Sequence, residues 1–570
     1  MGPRYNQIIQ IIKSPIYHLG AYLRHHIPIL MLLFGLLVQT GVGLYGTLSS
    51  PMGHWTVRDG KGSYLWYHDD PAMWYISSVR NRFLGKEYDY LTHGVPVQEV
   101  IYRSVRLVYI LSGSHETPVD FFDKHLSQIY IYGSLLAIVF SLLTVYFTYA
   151  IVSVFNRSRI WSGLSALILS TSFSFLYFSG SISSEPFQAG LIVMAMYFIV
   201  RFFSSYRISS TACLWPIIAV VSMALSIITK INSLLLLPAF VLLFVLLPFT
   251  EQIPRRNRIL VRGISILSFL LMIGILVYWS GEALFGWAKF QQQHMAYYTN
   301  ERISFVFKGF ISLFAPQNGM GRFDLFVQPV ERFFVKYQWI PQLYMLYIYI
   351  GVLASIFTLW KGKDPAIKAM LIVALFGSGC LFIGMLSVSS WKYMIPSMPL
   401  LCILSSYLLV RLFRYLLSTS RLTFMIALGL TIFILAINIL TVSKVLALHH
   451  HSAKEYQKYK PYELLRLLPP RSKLMVMGKG LEIPSPVLVK MNLYKHQTYL
   501  GYIDTFSRFM VLGDTNPRDV AIGGILSDTK FNQEYILSKF GGNYRIIEER
   551  VYQISGIKYF YYRLGDRKII

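Results

Sequence analysis

The sequence predicts a mostly α-helical protein that crosses a membrane many times and carries a small α/β domain at its C-terminal end. Hydrophobic residues make up 54% of its 570 residues and charged residues only 14%, whereas a soluble domain carries about 25% charged residues. Apolar stretches of about 20 residues recur, and each is long enough to cross the hydrocarbon core of a bilayer. The connections between alternate stretches are short and basic, as in polytopic membrane proteins.

About eleven apolar stretches are predicted to be transmembrane helices. The first follows a basic segment, Met1 to His26, and no small-residue cleavage site follows its apolar run. We therefore expect a retained span rather than a removed signal peptide. The predicted spans are 27–48, 129–151, 161–179, 186–203, 212–229, 233–249, 264–281, 339–360, 369–388, 393–410 and 422–443.

Basic residues predict the orientation of these spans. Arginine and lysine collect in the connections after spans two, four, six, eight and ten, and the positive-inside rule places these connections and the N-terminus in the cytoplasm. The loop 49–128, the turn near 179–185, the loop 282–338 and the tail from 444 then lie on the extracytoplasmic side. This bias accounts for the net charge of +26, and we expect no nucleic-acid partner.

The tail has the pattern of a small soluble domain. Its first helix is predicted at Ala453–Leu468, before two consecutive prolines. Strands are predicted at Lys473–Met477, Asp519–Leu526, Tyr544–Tyr552 and Tyr559–Leu564. We therefore divide the chain into a transmembrane module, 1–443, whose site is formed by the outer loops 49–128 and 282–338, and an extracytoplasmic α/β domain, 444–570.

Two smaller features carry no predicted chemistry. Cys213, Cys380 and Cys402 lie in apolar stretches, so we expect buried thiols rather than disulfides or a zinc site. His449, His450 and His451 are consecutive and do not converge on one ion without special geometry, so we expect a solvated turn at the membrane interface.

An acidic pair, Asp69-Asp70, lies in the first outer loop just before Pro71. Adjacent carboxylates repel, so one is expected to be held by a hydrogen bond or a cation while the other stays available. Such a carboxylate could deprotonate an incoming hydroxyl or amine. The alternative is a helix N-cap, since an Asp before Pro is good capping chemistry. The two interpretations are compatible and both stay open.

A second acid and two lysines lie at the outer ends of other spans. Glu185 opens span four in the segment Ser184-Glu185-Pro186, where an acid is either functional or a capping residue. Lys230 ends span five and Lys392, followed by Tyr393, precedes span ten. Each lysine could bind a phosphate or extend its ammonium to the interface.

The outer loop 282–338 mixes aromatic and basic residues, among them His294 and Arg302. This composition is typical of helices that lie in the membrane interface. Such a loop could close over a lipid-linked substrate, or it could be a plain surface connector.

Taken in order, these motifs resemble the GT-C glycosyltransferase superfamily, and more narrowly its protein-mannosyltransferase and aminoarabinose-transferase-like branch. The resemblance covers most of residues 27–410 and differs at two positions. Asp70 stands where the family more often has Glu, and Lys392 stands where it has Arg, which loses bidentate phosphate binding. The matching residues are Asp69-Asp70, Tyr75, Gly85-Lys86-Glu87-Tyr88, Gly94-Val95-Pro96, Ser184-Glu185-Pro186, Lys392-Tyr393, Pro396 and Pro399.

The resemblance implies a GT-C-like enzyme of the cell (inner) membrane. It would transfer a sugar from a polyprenyl-phosphate-linked donor to a protein, lipid or glycan acceptor on the extracytoplasmic face. Asp69 would be the catalytic base with Asp70 in support, and Glu185 would orient the acceptor or a neighbouring cation. The three acids could hold Mg²⁺ or Mn²⁺, but the chemistry does not require it. The donor phosphate would be bound by Lys392, Tyr393, Lys230, His294 and Arg302.

Two other functions stay open. A transporter or lipid flippase would need polar residues in mid-span, and few occur there. An oligosaccharide ligase would also work on the outer face, with arginine and histidine in large outer loops.

Overall fold

The structure is a computed structural model. It describes residues 3–49, 55–58, 63–66, 75–85, 95–155, 159–204, 214–230, 233, 236–242, 263, 266–275, 278, 356, 365–385, 395–419, 421–459, 474–477, 524–527, 530, 532, 534, 544–554 and 557–566.

Helices dominate these residues, which confirms the mostly α-helical fold class. In chain order we number them α1 (Pro3–Ser49), α2 (Ser77–Phe83), α3 (Val95–Leu111), α4 (Pro118–Lys124), α5 (Leu126–Phe155), α6 (Arg159–Ser170), α7 (Phe173–Tyr177), α8 (Ser184–Ser204), α9 (Leu214–Thr229), α10 (Pro365–Met385), α11 (Met398–Thr419) and α12 (Arg421–Tyr459).

Five of the described helices contain segments long and apolar enough to cross a membrane: His26–Ser49, Leu126–Val154, Ser184–Phe202, Met398–Leu416 and Leu428–Lys454. The first four confirm the predicted spans that begin near 27, 129, 186 and 393. Shorter apolar helices, Leu214–Thr229 and Ile266–Ile275, and helix α10 cover parts of three more predicted spans. The predicted span 339–360 lies outside the described residues apart from Ile356.

The third predicted span, 161–179, is wrong as a continuous helix. It consists of α6 and α7, separated at Ser172, whose backbone is extended (φ −68°, ψ 137°). Hydroxyls near the break donate to backbone carbonyls: Thr171 to Leu167 at 2.7 Å and Ser172 to Leu169 at 2.8 Å. Such local bonds compete with the helical ladder. The chain therefore turns inside the bundle, and residues 178–183 are all buried.

The last predicted span, 422–443, is too short, because α12 runs to Tyr459. No proline occurs between Arg421 and Pro461 to end the helix. The predicted turn at His449–His451 is therefore wrong, since these residues are helical. His449 is buried with its ring 5.3 Å from that of Tyr177.

Within the predicted first outer loop, 49–128, the described residues include a helical layer made of α2, α3 and α4. Arg80 of α2 donates to both carboxylate oxygens of Asp123 of α4, at 2.7 and 2.8 Å, and Arg80 is buried. Ser78 Oγ donates to Gln98 Oε1 of α3 at 3.0 Å. Charged and polar pairs of this kind fix the relative positions of the three helices. A short antiparallel hairpin, β1 (Trp55–Arg58) with β2 (Ser63–Trp66), precedes them.

The C-terminal part forms a four-stranded sheet with the order β3-β4-β6-β5. The strands are β3 (Leu474–Met477), β4 (Gly524–Ser527), β5 (Tyr544–Ile554) and β6 (Ile557–Asp566), and only β3 and β4 are parallel. Each of the four predicted segments thus contains a strand, and of Asp519–Leu526 only residues 524–526 are among those described. Buried Tyr559 and Tyr561 of β6 belong to the same hydrophobic cluster as Tyr75 and Phe122, so the sheet packs on the first outer loop.

Candidate functional site

Glu185 lies in the first turn of α8, at the end of the buried segment that follows α7. The segment is tightly turned: Ser181 N donates to Phe178 O at 3.0 Å and Ser183 N donates to Ser181 O at 2.8 Å. Pro186 follows at the start of the helix, where its missing N–H costs no hydrogen bond. The side chain of Glu185 is only 1% exposed, so the acid lies beneath the surface.

Lys230 follows α9 directly, and its backbone N–H still donates to Ser226 O at 3.0 Å. Its ammonium donates to Glu185 Oε1, and its side chain is 9% exposed. Two residues that the sequence marked separately, 45 positions apart, therefore form one buried ion pair. The pair joins the first turn of α8 to the end of α9.

A second contact lies one helical turn along from the ion pair. Gln188, three residues after Glu185, donates its Nε2 to the hydroxyl of Ser233, three residues after Lys230, at 2.5 Å. The Ser233 hydroxyl also bonds to that of Ser226 at 2.6 Å. All three side chains are buried. Glu185 and Gln188 lie on one face of α8, and Ser233, beyond the end of α9, donates its backbone N–H to Lys230 O at 3.0 Å. The two contacts therefore clamp the start of α8 to the residues that follow α9.

The turn before Glu185 packs closely on two neighbouring helices. A Cβ added at Gly180 would lie 2.6 Å from Thr47 Oγ1 and 3.0 Å from the carbonyl oxygen of Gly43, both in α1. A Cβ added at Gly133 of α5 would lie 2.7 Å from Ile182 Cδ1 and 3.3 Å from Ile101 Cδ1. Only glycine permits such close approach of backbone to neighbouring atoms.

The contacts at Gly133 also connect this turn to the first outer loop. Ile101 lies on α3, and Tyr75 and Ile76, which precede α2, are buried in the same cluster as Ile101 and Ile182. Helix α3 also contacts α9. The first outer loop and the segment that carries Glu185 thus pack on the same end of α5.

The ion pair has clear chemical consequences. Desolvating a carboxylate and an ammonium is costly unless they neutralise each other, and the loss of either partner leaves an uncompensated charge. Lys230 supplies the positive charge beside Glu185, where a divalent cation was the other expectation. A buried acid at the edge of a membrane span is a functional candidate, and buried Ser181, Ser183 and Ser184 add hydroxyls next to it.

Six of the eight predicted site residues lie outside the described residues: Asp69, Asp70, Lys392, Tyr393, His294 and Arg302. The structure places the other two, Glu185 and Lys230, in contact. The sequence-based prediction missed three polar residues of the site: Gln188, Ser226 and Ser233. One signal was available, since Gln188 follows Glu185 and Ser233 follows Lys230 by the same three residues. Cys402 is buried as predicted. Among the described residues, no three His, Cys, Asp or Glu side chains cluster as metal ligands.

The fold and the site define a multi-pass helical membrane protein with a buried acid–lysine pair and a C-terminal sheet. The sequence model of the family described as dolichyl-phosphate-mannose-protein mannosyltransferase matches residues 125–294, a range that includes Glu185 and Lys230. Over this range the resemblance to the protein-mannosyltransferase branch of the GT-C superfamily is confirmed. No curated protein sequence matches the chain significantly.

Solved structures of glycosyltransferases are also similar to this chain. The archaeal oligosaccharyltransferase AglB from Archaeoglobus fulgidus, in complex with an inhibitory peptide and a dolichol-phosphate, is 14% identical with a TM-score of 0.47. The alignment covers 82% of this chain and 64% of AglB, so this chain spans somewhat less than two thirds of the AglB length. ArnT from Cupriavidus metallidurans in the apo state is 14% identical with a TM-score of 0.49, and coverage is 94% of this chain and 97% of ArnT. ArnT bound to undecaprenyl phosphate is 12% identical with a TM-score of 0.46 and the same coverage.

Proposed function

We propose that the protein is a membrane glycosyltransferase that moves a sugar from a polyprenyl-phosphate-linked donor to an acceptor on the extracytoplasmic face. The observation that carries the proposal is the buried pair of Glu185 and Lys230, which lies within the range matched by the mannosyltransferase family. The description of that family names a dolichyl-phosphate sugar, which supports a polyprenyl-phosphate donor. Basic residues in the alternate connections support an outer-face position for the first turn of α8 and the end of α9.

The proposed chemistry is a displacement at the anomeric carbon. Asp69 accepts the proton of the acceptor hydroxyl or amine, the acceptor atom bonds to the anomeric carbon, and the bond to the donor phosphate breaks so that polyprenyl phosphate leaves. A positioned base of this kind contributes about 10²–10⁴-fold to the rate. Asp70 supports Asp69. The positive charge that develops on the sugar in the transition state is stabilised by a nearby carboxylate.

The described geometry supports a shared site for Asp69 and Glu185. Asp69 and Asp70 precede Tyr75 by six and five residues, and Tyr75 is buried in the same cluster as Ile182, three residues before Glu185. We propose that Glu185 orients the acceptor and that its pairing with Lys230 holds the carboxylate in one rotamer. A carboxylate oxygen can accept further hydrogen bonds while it accepts one from an ammonium.

We propose that the leaving phosphate is bound by basic and hydroxyl groups from several outer segments. Lys230 lies at the end of α9, where its ammonium can serve both Glu185 and an anion because it carries three donor hydrogens. Lys392, Tyr393, His294 and Arg302 complete the set in this proposal. In this proposal the transmembrane module carries this chemistry, and the C-terminal sheet, which follows the long helix α12, lies on the extracytoplasmic side.

Single variants test the proposed base. Asp69→Asn, Asp70→Asn and Glu185→Gln, purified in detergent, are assayed for transfer of radiolabelled sugar from a series of polyprenyl-phosphate sugars. We expect transfer to fall by about 10²-fold or more in Asp69→Asn, since the amide cannot accept the proton. Asp364→Asn, in a predicted cytoplasmic connection, is the matched control and should keep full transfer. Unchanged transfer in all three variants contradicts the assigned mechanism.

A flippase assay separates this function from the transporter alternative. Protein is reconstituted in vesicles with a fluorescent polyprenyl-phosphate sugar, and movement of the lipid between leaflets is followed without any acceptor. A glycosyltransferase leaves the lipid in its leaflet, whereas rapid movement that survives Asp69→Asn supports a transporter.

A further inference from the structure

Helix α3 has an exposed face with two chemically different flanks. Val100, Leu107 and Leu111, which lie along one side at helical spacing, are 48%, 56% and 76% exposed. Arg103 and Arg106 lie beside this apolar stripe and are also exposed. An exposed apolar stripe next to a basic one is typical of helices that lie in a membrane interface.

The apolar stripe continues the membrane-facing surface of the bundle. Helix α3 packs on α5, and α5 exposes Leu135 and Val139 within its apolar span. Exposed apolar residues of a span face lipid, since the bilayer replaces water there. Helix α3 packs near the N-terminal end of α5 through Ile101 and Gly133, the end that the positive-inside rule predicts to face the outer leaflet.

A groove of about 430 Å³ lies between α3 and the start of α5. This volume falls within the range of about 300–1,000 Å³ that is usual for ligand pockets. Ser104, Ser112, His125 and Gln128 also line it, and Tyr132 OH donates to Ser104 Oγ at 2.8 Å. The accessible wall area is nevertheless almost all apolar and fits a hydrocarbon chain. They include Val105, Val108, Phe121, Ile129 and Tyr132.

Two arginines share one tyrosine ring on the opposite flank of the same face. The guanidinium carbon of Arg106 lies 6.0 Å from the ring centroid of Tyr102 and that of Arg82, from α2, lies 5.9 Å from it. Arg106 also donates to Tyr102 OH at 3.3 Å, and both arginines are exposed. Both guanidinium groups therefore lie beside the same ring, and each can donate to the oxygens of a phosphate.

We propose that this surface binds an anionic phospholipid of the outer leaflet. The phosphate lies on Arg82 and Arg106, and one acyl chain crosses the Leu107–Leu111 stripe into the groove. The site is separate from the Glu185–Lys230 pair and does not depend on the sugar-transfer proposal, because its test measures lipid binding alone.

The test is a binding measurement by native mass spectrometry on the full chain in uncharged detergent. The probes are phosphatidylglycerol, phosphatidylcholine and soluble glycerol phosphate. We expect the wild type to bind phosphatidylglycerol more tightly than phosphatidylcholine, and the variant Arg82→Gln/Arg106→Gln to lose about tenfold of its phosphatidylglycerol affinity. Both arginines are exposed, so the variant is expected to fold.

The control is Arg103→Gln on the same helix. Arg103 is also exposed but does not contact the Tyr102 ring in the way that Arg82 and Arg106 do, and its ion pair with Glu99 at 2.6 Å is exposed, so its loss should change affinity by less than about twofold. An equal loss in this variant would mean diffuse attraction to the whole helix and would overturn the site. The site is also wrong if the double variant keeps its preference for phosphatidylglycerol.

The groove is tested by Val108→Trp, which fills it with a larger side chain. We expect this variant to weaken both phospholipids, while the preference for phosphatidylglycerol over phosphatidylcholine is retained. Ser104→Leu narrows the same groove and replaces Val108→Trp if that variant fails to fold. Glycerol phosphate that binds as tightly as phosphatidylglycerol would overturn the role of the chain, as would full phospholipid affinity in the groove variant that folds.

Discussion

The buried ion pair of Glu185 and Lys230 allows its structural and chemical roles to be separated. Glu185→Gln leaves the ammonium beside a neutral amide, and Lys230→Met leaves the carboxylate beside a thioether. Because the two side chains are 1% and 9% exposed, removal of either partner should cost about 3–5 kcal/mol in the free energy of unfolding. A solvent-exposed pair would cost only about 0–1 kcal/mol.

The double variant Glu185→Gln/Lys230→Met removes both charges at nearly constant volume. Replacing a whole buried pair by neutral groups is often neutral or stabilising, so we expect the double variant to recover most of the stability lost in the single variants. The coupling is the sum of the two single losses minus the loss in the double variant, so it should be about 5 kcal/mol or more. Unfolding is followed by tryptophan fluorescence during titration of dodecyl maltoside micelles with sodium dodecyl sulfate, and sugar transfer is assayed on the same samples.

Two results would refute this reasoning in different ways. Single variants that each lose less than about 1 kcal/mol would show that the pair is not desolvated. A double variant that regains full sugar transfer together with stability would show that the pair is structural only. Arg103→Gln breaks the exposed pair with Glu99 and serves as the control, with an expected loss below about 0.5 kcal/mol.

Substitutions at three further positions test how the site is held. Gln188→Leu leaves the buried hydroxyl of Ser233 without its amide donor, and we expect the free energy of unfolding to fall by about 1–3 kcal/mol. Gln188→Glu keeps the length of the side chain but adds a negative charge beside the ion pair. We expect it to lower sugar transfer, and separate measurement of kcat and KM shows which of the two changes. Arg80→Gln breaks a buried bidentate contact to Asp123 and should destabilise the packing of α2 on α4 by about 3 kcal/mol. Proteolysis between α2 and α4 should then be faster than in the wild type. An unchanged rate of digestion would contradict the role of this contact. Gly180→Ala places a Cβ 3.0 Å from a backbone oxygen of α1; we expect a loss of about 1–3 kcal/mol from overpacking, whereas a stability equal to that of the wild type would show that α1 can shift.

The sequence was sufficient for the elements whose signal is local. Apolar length placed the spans that contain α1, α5, α8 and α11, because the bilayer requires about 20 apolar residues for each helix. Short apolar runs bounded by turn residues predicted a strand in each of the four segments that form the C-terminal sheet. The sequence-based predictions were wrong at Ser172, where the helix breaks, and at His449, where the helix continues. At both positions contacts of side chains determine the backbone conformation. The hydroxyls at 170–172 break a helix that composition favours, and α12 continues because it packs on α1 and α7.

The candidate site was predictable only in part for a similar reason. Glu185 and Lys230 were each marked by chemistry, since a charge at the edge of an apolar span needs an explanation. Their pairing depends on how α8 and α9 pack, which no local pattern specifies. Gln188 and Ser233 are common polar residues within apolar runs. Their role is recognisable only from the structure, in which they form a contact between residues 45 positions apart, the same separation as in the ion pair.

The break after α6 explains why the acid can lie below the surface. A continuous helix through 161–179 would carry the chain to the outer face, and a turn there would be exposed to water. Because the helix instead ends at Ser170, residues 178–183 turn within the bundle and Glu185 starts α8 in a desolvated position. Charges interact more strongly where water is excluded, so the lysine at the end of α9 becomes a requirement for burial of the acid.

The helical layer of α2, α3 and α4 then packs over the same end of α5 through Ile101 and Gly133. Ser172→Ala favours a continuous helix and should therefore weaken the ion pair, although Ser172 does not contact it. The measurement is the coupling energy between Glu185→Gln and Lys230→Met in the Ser172→Ala background. Loss of that coupling would show that the break after α6 keeps the pair buried.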